Sequence, residues 1–172
     1  TKLSKKLRNY TEPTEIFEQQ GSDALRWYFM SSSIVRGGDS RISDQSIDDV
    51  VRQVINPIWS AYSFFTLYAN IDDYQATLIN QPANTLDKYI LAKTHQLVTN
   101  VTEHMDKYDL PGATNEIRGF IDALNNWYIR RSRDRFWSPA KPVHDSDKQD
   151  AYDTLFTVLP VSYTHLRAHE TR

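Results

Sequence analysis

From Ser43 onward, apolar residues return every three or four positions in one long segment after another, which restricts this chain to amphipathic helices packed side by side. Ile47, Val50, Val51, Val54, Ile55, Ile58, Tyr62 and Phe65 mark one face of a first long helix. Pro57 falls inside it. A proline lacks the backbone donor and crowds the preceding turn, so a kink or a restart is expected there. Asp72 to Asn84, with Pro82, reads as a polar linker. Leu86, Tyr89, Ile90, Leu97, Val101 and Met105 mark a second helix, and Pro111 starts a third whose buried stripe is Ile117, Phe120, Ile121, Leu124 and Tyr128. Tyr152, Leu155, Phe156 and Leu159 begin a fourth. Such helices cannot bury their stripes alone, so residues 43–159 are expected to form a mainly α, antiparallel helical bundle.

A smaller unit, residues 1–42, precedes the bundle. Asn9 to Pro13 reads as a turn, Thr14 to Phe17 as the start of a short helix, and Gly21 as its end. A second helix is expected from Ser22 or Asp23 through Met30, because Ala24, Leu25, Trp27, Tyr28 and Phe29 are too apolar to lie free in water. Ser31 to Ser33 and Arg36 to Ser40, with Gly37 and Gly38, read as a loop.

Composition narrows the chemistry. With 40% hydrophobic and 24% charged residues in 172, the chain has the make-up of a globular domain. No apolar run reaches the roughly 20 residues that span a bilayer, and the start lacks a secretory pattern. The absence of cysteine excludes disulfides and thiolate metal sites and is compatible with a reducing cytosol without proving it; a cytoplasmic setting is the expectation. A formal charge of −2 gives no global pull on nucleic acid, so any RNA affinity must come from a local cluster of cations.

Two places offer such cations. Lys2 and Lys5 flank Leu3 and Ser4 in a polar stretch, and flexible ammonium groups around a small hydroxyl suit a polyphosphate. Near the end of the third helix, Asn126 to Trp137 contains Arg130, Arg131, Arg133 and Arg135. At about 100° per residue, Arg130, Arg133 and Trp137 share the side away from Leu124. Guanidinium groups grip phosphate and an indole stacks on a base, so this stripe suits an RNA backbone. The same cations also suit a solvated helix end facing the negative pole of the macrodipole. Arg131 and Arg135 are expected on the bundle side, Arg131 paired with a carboxylate of another helix. His95 and His104 are read as ordinary surface or boundary residues, Asp145, Asp147 and Asp150 as a solvated helix start, and Asp72 with Asp73 as loop residues without an assignable partner. No metal site is expected. The sequence contains neither a Gly-rich phosphate loop nor a nucleophile elbow.

The order of these features resembles the C-terminal part of the class I aminoacyl-tRNA synthetases. It runs from Lys2-Leu3-Ser4-Lys5 through Asn9, Tyr10 and Pro13 to Gly21-Ser22-Asp23-Ala24-Leu25-Arg26-Trp27-Tyr28, then a bundle carrying Asn126 to Trp137. The family signature is Lys-Met-Ser-Lys, here with Leu3 in place of methionine. Arg26-Trp27-Tyr28-Phe29 and Asn126 to Arg133 favour the isoleucyl branch over its valyl and leucyl relatives. The resemblance reaches Leu159. It implies a parent enzyme, expected to be monomeric, that activates isoleucine with ATP and Mg2+ and passes it to tRNA(Ile). In that enzyme Lys5, with Lys2, would stabilise charge on the departing pyrophosphate while Ser4 supports the loop and Leu3 anchors it. Residues 1–42 would be the ATP-loop remnant and stem-contact unit, and 43–159 the anticodon-binding domain with Arg130, Arg133 and Trp137 toward tRNA. The nucleotide fold would precede Thr1, so the isolated chain is expected to bind no cofactor and to lack aminoacylation activity. A fragment of a valyl or other class I synthetase, or a stand-alone helical RNA- or protein-binding module, is the alternative.

Residues 160–172 read differently. Val161 to Thr171 resembles a translated transposase adapter of sequencing libraries, so native sequence is expected to stop near Leu159, with His165 and His169 carrying no functional weight. The fourth helix would then supply only about three turns before Pro160, leaving apolar surface exposed.

Overall fold

The computed structural model describes residues 12–39, 42–138 and 146–167, with side chains through Val161. Lys2, Leu3, Ser4 and Lys5, together with Asn9, Tyr10, Ser40, Asp145 and the tail from 168, lie outside the described residues.

Helix α1 spans Pro13–Gln19 with its proline in the first turn, where no interior hydrogen bond is lost. Gly21, at φ 85°, takes a backbone angle that a side chain would oppose, and the chain reverses there into α2, Ser22–Ser31. A 3-10 turn over Ser33–Arg36 ends at Gly37, again in the left-handed region. Ala24, Leu25, Trp27 and Tyr28 of α2 are buried, and the helix packs on α3, Asp44–Val50, and on α6, Leu110–Asp122. The Ser43 hydroxyl caps α3 by accepting from the Ser46 amide at 3.3 Å.

After α3 the helix widens. Val51–Ile55 forms a π turn, and α4, Asn56–Ile71, resumes regular winding with Pro57 in its first turn. The expected restart is thus met by a wide turn just ahead of the ring, which leaves the proline no interior amide to replace. Ile47, Val50 and Val54 are buried as expected, whereas Tyr62 is half exposed and lies against Trp59, with Ala61 taking the buried place. On α5, Thr85–Asp106, Ile90, Leu97 and Val101 are buried. Tyr89, about 100° round from Ile90, lies at the flank of the stripe and is part exposed.

A tight turn joins α5 to α6 and makes them antiparallel neighbours. Tyr108 stands there at φ 57° while the Asp109 amide bonds the His104 carbonyl at 2.8 Å, a Schellman-like closure made without glycine. After α6 the helix widens again over Ala123–Ile129 before α7, Arg130–Trp137. Ile117, Phe120, Ile121, Leu124 and Tyr128 are all buried.

The last helix, α8, runs over Ser146–Arg167, longer than expected, and continues through Pro160. Pro160 lies on the exposed side, where water can satisfy the carbonyl its ring leaves without a donor. Tyr152, Leu155, Val158 and Leu159 face inward. Phe136 of α7 meets Tyr152 and Phe64 edge-on, each with ring centroids 5.1 Å apart, so α4, α7 and α8 share one aromatic contact. The linker between α4 and α5 is fastened along α8: Asp153 accepts from the Tyr74 hydroxyl and the Thr77 amide, and Asp150 from the Ala83 amide.

Candidate nucleic-acid interface

The outer face of α7 depends on what fixes the helix from within. Asp87, fully buried in the first turn of α5, accepts from the Tyr128 hydroxyl at 2.7 Å and bidentately from Arg135 at 2.8 and 2.7 Å. Arg135 extends the network to α8 through the Asp147 carboxylate at 2.9 Å and its carbonyl at 2.7 Å. Burial pushes the Arg135 pKa down, but the hydrogen bonds and negative charge of Asp87 overcome this and carry it above its ordinary value. Burial and the adjacent Asp87 also push the Tyr128 phenol well up, so it stays neutral and donates. Asp87 thereby ties α5 to α7, and Arg135 carries the tie on to α8.

Asp147 is therefore no merely solvated residue, contrary to expectation: it also accepts from the Asn84 side chain at 2.9 Å. Asp72 likewise has partners. Lys148, almost fully buried, reaches it at 2.6 Å, and the Tyr152 hydroxyl donates to it. Burial raises the Asp72 pKa, but the hydrogen bonds from Lys148 and Tyr152, with the ammonium charge, outweigh it and hold the carboxyl below its ordinary value. His95 is exposed, and His104 meets Asp109 at 2.9 Å. Asp109 also caps α6 through the Gly112 amide and pairs with Arg36, tying the N-terminal unit to the bundle. The Arg36 and Gly112 hydrogen bonds lower its pKa. Among the described residues no cluster of three or more His, Asp or Glu is arranged for a metal.

With α7 anchored this way, Arg130, Arg133 and Trp137 are all exposed, and the Arg133 guanidinium lies 6.0 Å from the Trp137 ring centroid. Arg135 faces the bundle as expected. Arg131 does not. It is exposed, its guanidinium 3.9 Å from the centroid of Trp127, and Trp127 in turn neighbours Tyr89 of α5 at 6.2 Å. The wide turn over Ala123–Ile129 explains the difference. Winding i→i+5 retards the helix by about one residue, roughly 100°. Ser132 thus takes the buried position that uniform winding assigns to Arg131, and Phe136 is buried beside Arg135, whose guanidinium still reaches inward to Asp87. Trp127 lies within that wide turn and escapes a uniform-helix reading for the same reason, although its i, i+4 spacing from Arg131 is itself a stacking signal. This face can grip phosphate through guanidinium forks and offer planar groups to bases.

Residues 87–165 match the anticodon-binding domain of tRNA ligase, a span that begins at Asp87 and covers α6, α7 and most of α8. The chain is 45% identical over 158 residues to the isoleucine-tRNA ligase of Leifsonia xyli subsp. xyli, covering 92% of this chain and 14% of that protein. It is 47% identical over 161 residues to that of Tropheryma whipplei strain Twist, covering 92% of this chain and 15% of the relative. For Mycobacterium tuberculosis strain H37Rv the identity is 46% over 162 residues, covering 94% and 14%. The chain thus spans about a seventh of the length of these relatives.

Proposed function

We propose, since the chain belongs to the isoleucine-tRNA ligase family as a homologue of one segment of its members, that it is the tRNA-binding helical part of such an enzyme. The match of residues 87–165 to an anticodon-binding domain carries this reading. Arg130, Arg133 and Trp137 supply the contact: two guanidinium groups for phosphate oxygens and an indole for a sugar or base. The Asp87 network supports it by fixing the helix that presents them, so the cations meet the backbone without first being ordered.

The parent reaction proposed is activation of isoleucine by ATP, with Mg2+, followed by transfer to tRNA(Ile). Lys5 and Lys2 would oppose the charge of the departing pyrophosphate, with Ser4 bonding within the loop. A monomeric, cytoplasmic protein is the corresponding setting, and no helix among the described residues is long and apolar enough to cross a membrane.

A filter-binding titration with tRNA(Ile) at several salt concentrations tests the interface. Replacing Arg130 and Arg133 together by alanine is expected to weaken binding about tenfold or more and to lower the salt slope by about one to two. Unchanged affinity and slope would remove these residues from the interface.

A further inference from the structure

We infer that Trp127 and Arg131 form a stacking site for an unpaired nucleobase, with Tyr89 as its edge. The inference rests on the tRNA-binding reading above and adds to it a second kind of contact. The Arg131 guanidinium carbon sits over the Trp127 ring, 3.9 Å from its centroid, and both residues are exposed, Trp127 at 47%. The indole lies on one side of that planar cation, and the exposure of Arg131 leaves its other side accessible to a base. A base that stacks there meets a plane held in place beforehand, so little side-chain freedom is lost on binding. Tyr89 holds the indole from the α5 side at 6.2 Å, tilted by 43°, which restrains Trp127 from swinging away.

The surroundings favour nucleic acid over a protein surface. Arg130, Arg131 and Arg133 place three outward guanidinium groups within four positions, a density that suits a polyanion. A base in a duplex has both faces stacked already, so the site takes a base from a single-stranded loop. Arg130 and Arg133 would hold the adjoining backbone whatever its sequence, while Arg131 and Trp127 select for an unstacked base.

Two RNA probes of equal charge separate these roles: a hairpin with an unpaired loop, and a fully paired duplex. Arg131→Lys keeps the charge and removes the plane. It is expected to weaken hairpin binding by about 5- to 150-fold, from the ~1–3 kcal/mol of one stacked base, with duplex affinity and salt slope unchanged. Trp127→Leu is expected to reproduce that loss, its fold checked by an unchanged thermal midpoint. Should Trp127→Leu unfold, Arg131→Lys decides alone, because its side chain is exposed. A hairpin affinity within twofold of wild type, or an equal loss for both probes, overturns the stacking site and leaves the tRNA-binding reading intact. Wild-type protein that binds neither probe overturns both.

Discussion

Replacing Asp87 by alanine strands Arg135, and the structure sets the size of the effect. The carboxylate is fully buried and accepts three hydrogen bonds, one from Tyr128 and two from Arg135, whose side chain is only 11% exposed. Removing one member of a buried ion pair costs about 3–5 kcal/mol, because the other charge stays without compensation. Arg135 keeps Asp147, a partner half open to water, so the lower end of that range applies. With a urea slope of about 2 kcal/mol per molar, the unfolding midpoint falls by roughly 1.5 M, a large share of a typical domain's stability. A double-mutant cycle sharpens the test. Arg135→Met removes the charge and keeps the packing, and the double variant should be less damaged than the two single effects added together, with a coupling of about 2 kcal/mol or more. Urea denaturation followed by tryptophan fluorescence measures all four proteins. A loss below about 1 kcal/mol for Asp87→Ala, or additivity within about 0.5 kcal/mol, would refute the claim that this pair fixes α7.

Other perturbations follow from individual contacts. Asp72 and Asp109 both titrate below the ordinary carboxyl value of 3.8 in the folded chain, so the stability they contribute is present above that pH and lost as the pH falls through their lower folded values. Asp72→Asn should flatten the acid limb of a stability-against-pH curve, and an unaltered limb would exclude that contribution. Burial, then the charge and hydrogen bond of Asp153, push the Tyr74 phenol from 10.0 up to about 12, so its contribution is complete below pH 10 and is lost as the pH rises through the folded value. Ultraviolet titration of the tyrosines should show one late-ionising group vanish in Tyr74→Phe. The buried Ser132 hydroxyl finds no hydrogen-bond partner among the described residues, so Ser132→Ala should be neutral or stabilising by up to ~1 kcal/mol in the same urea assay. Tyr108, 90% exposed at φ 57°, occupies a conformation that glycine adopts without strain; Tyr108→Gly should raise the thermal midpoint by a few degrees.

The α6 stripe was legible because each of Ile117, Phe120, Ile121, Leu124 and Tyr128 recurs at the helical period, and all are buried. The exposed positions of Arg130, Arg133 and Trp137 were legible on the same grounds. Arg131 was misassigned because periodicity assumes uniform winding, and the wide turn ahead of α7 displaces the phase by about a residue. The partners of Asp72 and Asp147 were hidden for a different reason: Lys148 and Arg135 lie 76 and 12 positions away along the chain, and only packing brings them into contact.

The sequence by itself determined that this chain is a helical bundle and which family its motif order resembles, because amphipathic spacing, proline positions and short motifs are local properties of the chain. Tertiary structure alone decided which of four arginines in one short run is a structural tie and which face solvent. That outcome depends on the helix phase after Ala123–Ile129 and on a buried carboxylate contributed by α5, and neither is encoded in the spacing of the arginines themselves.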